Sequence, residues 1–418
     1  TGSLVVYEDR DRPTGRTVRL PVAILHSRSG RDDLDPVLYL GGGPGAGALR
    51  VAQYPGAYPW TEDRSFVIFD QRGTGEAEPS LPCRGLPAAR AEERRERAEE
   101  GTRQIAAVAA CRDRLEARGV SASAYSTPAS AADVEDLRRV LGVDRWALYG
   151  VSYGTRLALA VLREAPETVS AALLDSVLPP QADYDAEAAR HVDAAIGLVV
   201  RDCAASGACA AAYPDLRARF DAALADAEAD PLRVPAPTAD GPVDLLLDGA
   251  DLAGLVDTST PWGIAATPRL LDGIARRDTA VVRPETEGLL GTSSSFAWGM
   301  RLSVWCSEAL PFAERATGSD AVLEGLDLSV VLPSVCETWS VAPRPPDEVA
   351  PVVSDVPTLL VAGEMDPLTP PAWARLASET LSRSRVVEIR GGGHTPIQDW
   401  SGDGCAMRVA AAFLADPE

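Results

Sequence analysis

A chain of 418 residues is too long for one simple layer fold and suits a large core domain that carries an insertion. Its formal net charge of -21 repels phosphate backbones, and no apolar run approaches the roughly 20 residues of a bilayer-spanning helix, so neither nucleic acid nor a membrane is an expected partner. Every basic residue is Arg, and Asn is missing altogether, which removes any Asn-linked glycosylation site.

The N-terminal stretch reads as a hairpin. Leu4 to Tyr7 is apolar, Thr17 to Leu25 begins by alternating, and Asp11-Arg12-Pro13-Thr14-Gly15 supplies the turn between them. Val37 to Leu40 and Phe66 to Phe69 are short apolar runs bounded by Gly, Pro or Asp, as buried strands are. Residues 88–118, rich in Ala, Arg and Glu, read as exposed helix. A second helix follows Thr127-Pro128 and stops at Leu141-Gly142. Trp146 to Tyr149 is a strand, Tyr153 to Arg163 a helix and Val169 to Leu174 a strand. This alternation predicts an α/β fold with a mostly parallel sheet covered on both faces.

The pattern breaks over residues 176–345, which carry Ala-rich helical stretches and the aromatic residues Trp262, Phe296, Trp298, Trp305 and Trp339. The expected organisation is a core over 1–175, an inserted, mainly helical cap over 176–345 and a return to the core over 346–418, with Ala342-Pro343-Arg344-Pro345-Pro346 at the exit. The last part holds a strand at Thr358 to Ala362, a helix from about Pro370, a strand at Arg385 to Ile389 and a helix at Ala406 to Leu414.

The seven cysteines are Cys83, Cys111, Cys203, Cys209, Cys306, Cys336 and Cys405, and none forms the C-x-x-C spacing of a zinc or redox site. Three disulfides with one thiol left over suit an exported protein, against seven free thiols in a cytosolic one. Thr1 is not a natural start, in keeping with a removed leader. The expected location is therefore secreted or extracytoplasmic.

The chemistry centres on Gly150-Val151-Ser152-Tyr153-Gly154, which closes one strand and opens a helix. A turn this tight excludes side chains around Ser152, lifts its hydroxyl above the sheet and aims a helix N-terminus at a developing oxyanion. A serine hydroxyl needs a base. Of three histidines, His26 precedes the serine and His191 falls in the insertion. His394, in Gly391-Gly392-Gly393-His394-Thr395, follows the last predicted strand and fits the chain order Ser, acid, His. The acid is expected at Asp366, directly after the strand Thr358 to Ala362, with Glu364 and Asp175 as competitors. Asp399 and Asp403 are read as shaping the loop after the histidine. Gly41-Gly42-Gly43-Pro44-Gly45-Ala46-Gly47 bares backbone N–H groups after a strand. It lacks the G-K-[ST] ending of a phosphate loop, so the N–H groups of Gly43 and Tyr153 are assigned as the oxyanion hole. Asp70 and Arg72 are read as a buried ion pair beneath the site. No metal or organic cofactor is expected.

Taken together, Gly41-Gly42-Gly43-Pro44-Gly45, Asp70-Gln71-Arg72-Gly73 and Gly150-Val151-Ser152-Tyr153-Gly154 resemble the prolyl aminopeptidase and tripeptidyl aminopeptidase group of α/β hydrolases. The stretch from about Pro357 to Leu414 resembles the C-terminal region of the secreted actinobacterial members. The resemblance spans most of the chain except the insertion. It departs at Gly41, where prolyl aminopeptidases usually have His, and in a further C-terminal cysteine of the secreted members, without which Cys405 is the odd thiol. It implies the pairs Cys83–Cys111, Cys203–Cys209 and Cys306–Cys336. It also implies a cap carboxylate for a peptide's free α-amine, for which Glu308 and Glu337 are candidates beside Trp305. The expected activity is an aminopeptidase acting on short peptides. The alternative is a carboxylesterase, lactonase or tailoring hydrolase of a small molecule, with an apolar channel lined by Trp298 and Trp305. A non-enzymatic binding protein is disfavoured by the intact Ser, Asp, His set.

Overall fold

In a computed structural model, residues 1–31, 33–96, 101–236, 243–290, 295–313, 323 and 331–417 are described. The elements run β1 (Gly2–Tyr7), β2 (Thr17–Leu25), β3 (Val37–Leu40), β4 (Phe66–Phe69), α1 (Gly85–Glu96), α2 (Thr102–Ala117), α3 (Thr127–Leu141), β5 (Trp146–Val151), α4 (Tyr153–Glu164) and β6 (Val169–Asp175). There follow α5 (Tyr184–Ala205), α6 (Gly207–Ala212), α7 (Leu216–Ala229), β7 (Leu232–Ala236), β8 (Val243–Leu247), α8 (Gly249–Gly254), α9 (Pro261–Ala275), α10 (Thr279–Val282), α11 (Trp298–Val304) and α12 (Pro333–Trp339). The chain ends with β9 (Thr358–Gly363), α13 (Pro371–Ser378), β10 (Ser384–Ile389) and α14 (Cys405–Ala415).

Among the described residues, one eight-stranded sheet has the order β1-β2-β4-β3-β5-β6-β9-β10. The hairpin β1–β2 and the β2–β4 pair are antiparallel, and every later pairing is parallel. Strands β3 to β6 and β9 are buried almost throughout, which is why they read as unbroken apolar runs. The two-residue period still sorts their side chains. Leu38, Leu40, Trp146 and Leu148 face the layer made by α3, α4 and α13. Val37, Tyr39, Ala147 and Tyr149 face α14, through Ala406, Met407, Ala410 and Leu414. Helices thus cover both faces. Their ends carry the expected signals: Ser126 caps α3 and accepts from the Ala129 N–H, and Gly142, at φ 66°, stops it.

Two readings need correction, and a third gains a detail. Residues 88–118 form the two helices α1 and α2, with residues 97–100 outside the described set. They are not simply exposed, because Val108, Cys111 and Leu115 bury one face of α2. Asp70 and Arg72 do not pair with each other. Arg72 makes a bidentate pair with Asp133 on α3, at 2.7 and 2.6 Å, both side chains being fully buried. Asp70 instead accepts from the N–H groups of Ala48, Leu49 and Glu76. Both residues lie beyond the end of β4, where the two-residue strand period no longer holds their side chains on one face, so the two charges diverge. Finally, the stretch after β6 contains an antiparallel pair, β7–β8, around its own apolar core of Phe220, Leu224, Val234, Leu245 and Leu271. Five-residue strands leave too short an alternation to stand out in Ala-rich sequence. Within the expected insertion, residues 237–242, 291–294, 314–322 and 324–330 lie outside the described residues.

The cysteines pair as Cys83–Cys111, Cys203–Cys209 and Cys306–Cys336, and Cys405 is free and exposed. These are the pairs the resemblance implied. No helix among the described residues is long and apolar enough to cross a membrane.

Candidate active site

The carboxyl ends of the parallel strands lie along one edge of the sheet, where open α/β sheets hold ligands in a crevice. Ser152 leaves β5 there with φ 55° and ψ -124°, a strained geometry for a side-chain-bearing residue. The backbone is forced into it from both sides. The Ser152 N–H donates to the Asp175 carbonyl at 2.8 Å, and α4 starts at the next residue. A Cβ on Gly154 would run into the Leu40 carbonyl, so only glycine lets α4 sit this close to β3.

Asp366 follows β9 and is 2% exposed. Its Oδ2 accepts from His394 Nδ1 at 2.8 Å, from Ser176 Oγ at 3.0 Å and from Thr369 Oγ1 at 2.7 Å. Its Oδ1 accepts from the N–H groups of Leu368 and Thr369 at 2.9 and 3.0 Å. Burial alone would push the carboxyl upward. The facing imidazolium and these donors outweigh it, and the pKa falls below the usual carboxylate range. For His394 burial opposes the charged ring, but the charge and hydrogen bond of Asp366 prevail and the pKa is raised. The histidine loop is pinned twice: the His394 N–H donates to the Ser259 carbonyl at 2.7 Å, and the Thr395 N–H to Ser176 Oγ at 2.7 Å. The Asp175–Ser176 turn therefore ties the Ser152 backbone to the Asp366–His394 pair.

Neither rival carboxylate is hydrogen-bonded to His394 among the described residues. Glu364 accepts from the Gly391 N–H and lies 3.7 Å from Arg201. Asp175 is fully buried at the end of β6, its Oδ1 without a hydrogen-bond partner, and burial raises its pKa to about 8 even though the nearby His394 pulls it down. His26 is exposed, and His191 is bonded to Glu187 at 2.8 Å. Asp399 and Asp403 accept from the N–H groups of Ser401 and Cys405 in the loop before α14.

Gly42 lies against the serine. A Cβ on Gly42 would lie 3.1 Å from Ser152 Cβ. Gly43 has φ 118°, and the Gly43–Pro44 bond is cis. Tyr153 N–H opens α4, where the first amides have no partner within the helix. The Tyr153 ring turns into the core, and its hydroxyl meets Thr127 Oγ1 at 2.9 Å.

The residues expected to bind substrate separate. Glu308 is 4% exposed, in a π-helical turn Trp305–Ala309, and accepts from the Thr127 N–H at 2.6 Å at the start of α3. Burial raises its pKa against the pull of Arg156. Its carboxylate is occupied there rather than open to the crevice. Glu337 is exposed on α12. Trp305 is 1% exposed, donates from Nε1 to Asp185 Oδ2 at 2.7 Å and stacks under Arg301. Sequence reasoning missed Ser176, Thr369, Asp185, Glu187 and Arg301. Thr369 had a readable signal, since a hydroxyl three residues after a loop Asp commonly bonds back to it. The others come from distant elements and had none.

With this geometry in view, comparisons with known proteins are informative. A family model for the alpha/beta hydrolase fold matches residues 35–195, and one for TAP-like proteins matches residues 328–418. The serine protease Hip1 of Mycobacterium tuberculosis is 26% identical over 459 residues, covering 99% of this chain and 84% of its own. A proline iminopeptidase of Neisseria gonorrhoeae is 29% identical over 157 residues, 37% of this chain and 36% of its own. A tripeptidyl aminopeptidase of Streptomyces lividans is 29% identical over 200 residues, 44% and 36%. The fold, the two family models and the run of peptidase relatives agree: the chain has the α/β-hydrolase fold and is a serine hydrolase.

Proposed function

We propose that Ser152, Asp366 and His394 form an acyl-transfer triad. The observation that carries the reading is the His394 Nδ1–Asp366 Oδ2 bond of 2.8 Å on the same edge of the sheet as the strained Ser152. Asp366 fixes the tautomer with the proton on Nδ1, leaving Nε2 to accept the Ser152 proton as Oγ attacks a carbonyl. The N–H groups of Gly43 and Tyr153 hold the tetrahedral oxyanion. His394 then protonates the leaving group, and water releases the acyl-enzyme by the reverse route.

The substrate we propose is a short peptide with a free N-terminus, bound beneath a cap formed by residues 176–345. The first turn of α5 supports this. Asp185 is tied to Trp305, and Glu187 accepts from Trp373 Nε1 at 3.0 Å, just beyond the Asp366 loop. An ammonium leaving water needs such a carboxylate. The peptidase names of the relatives point the same way. A second reading, an esterase or lactonase, draws on the partly exposed Phe296–Trp298 pair beside Gly45, an apolar wall at 5.1 Å ring separation. Three disulfides favour an extracytoplasmic enzyme.

The test compares p-nitroanilides of Pro and Ala-Ala-Pro with p-nitrophenyl butyrate, in wild type and Ser152→Ala. Anilide cleavage that needs a free N-terminus and is lost in Ser152→Ala supports the aminopeptidase. Ester cleavage alone keeps the triad and moves the substrate to the second reading. Activity that survives Ser152→Ala refutes the triad.

A further inference from the structure

The loop Gly41–Gly47 carries the oxyanion function in this reading, yet its composition gives it no stiffness. Glycine loses the most freedom on ordering, and Gly43 and Gly45 stand at φ 118° and 121°. An oxyanion hole works only if its donors are held in place before the reaction. The stiffness must therefore come from outside the loop. It comes from α11 and the residue before it. The Ala297 N–H donates to the Gly45 carbonyl at 2.9 Å. One helical turn later, Arg301 NH1 donates to the Gly43 carbonyl at 3.0 Å. Because Pro44 has no N–H, that carbonyl is the only polar handle on the Gly43–Pro44 peptide.

Arg301 is itself fixed. Its guanidinium lies 4.3 Å from the centre of the Trp305 ring, and Trp305 is anchored to Asp185 at 2.7 Å. Burial opposes the charge on the Arg301 guanidinium, and the nearby Tyr184 and Asp185 favour it. No salt bridge to Arg301 within 4.0 Å occurs among the described residues, and its buried Nε has no hydrogen-bond partner. A planar fork with one arm on a backbone carbonyl and its face on an indole is an orienting device.

We propose that Arg301 is a positioning residue for the oxyanion hole: from α11 it holds the Gly43 peptide so that the Gly43 N–H faces the tetrahedral intermediate on Ser152. This rests on the triad and oxyanion assignments above. It also couples the hole to α5, through Trp305 and Asp185, so that what binds near Asp185 acts on the geometry at Gly43.

The experiment measures the second-order rate at which an alkyl fluorophosphonate labels the serine, in wild type, Arg301→Met, Arg301→Lys and Ser152→Ala. Labelling forms the Ser152 Oγ–P bond with loss of fluoride and the hydroxyl proton, and it puts the phosphoryl oxygen in the hole without requiring the natural substrate. Met keeps the apolar packing on Trp305 but removes charge and donors. Arg301→Met is expected to label about 10- to 100-fold more slowly, and Arg301→Lys to recover part of the rate. With a turned-over ester, kcat falls by a similar factor while KM stays within about threefold, and affinity for a trifluoromethyl ketone weakens in proportion to kcat/KM. The pH midpoint set by His394 does not move. Equal labelling of folded wild type and Arg301→Met overturns the proposal and leaves the triad standing, as does a raised KM at unchanged kcat. Thermal melts of both variants separate lost folding from lost positioning. A wild type that the probe does not label, or labelling that persists in Ser152→Ala, overturns the triad reading and this one with it.

Discussion

Replacing Asp366 with Asn tests the acid assignment, and the structure dictates how the amide must sit. Oδ1 accepts from two backbone N–H groups, of Leu368 and Thr369. The Asn oxygen has to take that place, since an NH2 there would leave two donors facing a donor, at about 1–3 kcal/mol each. The NH2 group then falls on the Oδ2 position, against His394 Nδ1, Ser176 Oγ and Thr369 Oγ1. The two hydroxyls can rotate and accept. The imidazole must present Nδ1 as an acceptor, which moves its proton to Nε2, the nitrogen that should take the Ser152 proton. The fold survives while the base is blocked. Loss of the correct tautomer costs roughly 10⁴-fold in turnover, or about 5.5 kcal/mol of barrier at 1.36 per tenfold. Removing the carboxylate also removes what raises the pKa of His394. Wild-type kcat/KM therefore climbs as pH rises through that raised pKa, and the residual activity of Asp366→Asn climbs at lower pH. The assay is ester hydrolysis across pH 4–9 beside a thermal melt. A loss below tenfold with a normal melt would refute the assignment and return the role to Asp175 or Glu364.

Asp175→Asn should keep activity within about threefold and raise stability at pH 8 relative to pH 4. Burial lifts this carboxyl to about 8, against about 3.9 in an unfolded chain, so wild type loses stability as pH rises through that window and the neutral amide does not. Urea midpoints at the two pH values check this, and equal gains at both would contradict it. Arg72→Met should cost about 3–5 kcal/mol in urea unfolding, because Asp133 is left fully buried, with only the partly exposed Arg10 as cation. A cost under 1 kcal/mol would show that Arg10 alone neutralises it. Replacing Cys306 and Cys336 together with Ser should lower stability by about 3–4 kcal/mol, from the 30-residue loop they close. An unchanged melt would argue that the segment is already held by packing. Glu308→Gln should lower the melting temperature, since Arg156 loses a buried counter-charge, and leave KM for an amino-terminal substrate unchanged. A clear rise in KM would restore it as a substrate contact.

The residues proposed for the triad stood out in the sequence because each sits in a local context that such chemistry requires. Ser152 lies in a glycine-framed turn between a strand and a helix, Asp366 and His394 lie in loops that follow strands, and three histidines leave few choices for the base. The buried strands were legible too, since parallel strands covered on both faces must be apolar throughout. What the linear order could not supply was which separate elements meet. The partner of Arg72 is 61 residues away on α3 rather than two residues away. Glu308 turned toward α3, because the start of that helix offered an unpaired N–H and Arg156 a buried charge. Arg301 reaches Gly43 across 258 residues. Strand runs, turns and glycine-framed elbows follow from short-range sterics and hydrophobic period, which the sequence alone determined. Pairing of buried charges and support of a flexible glycine loop depend on long-range contacts that form only when the sheet packs against segments distant in the chain, and these the tertiary structure decided.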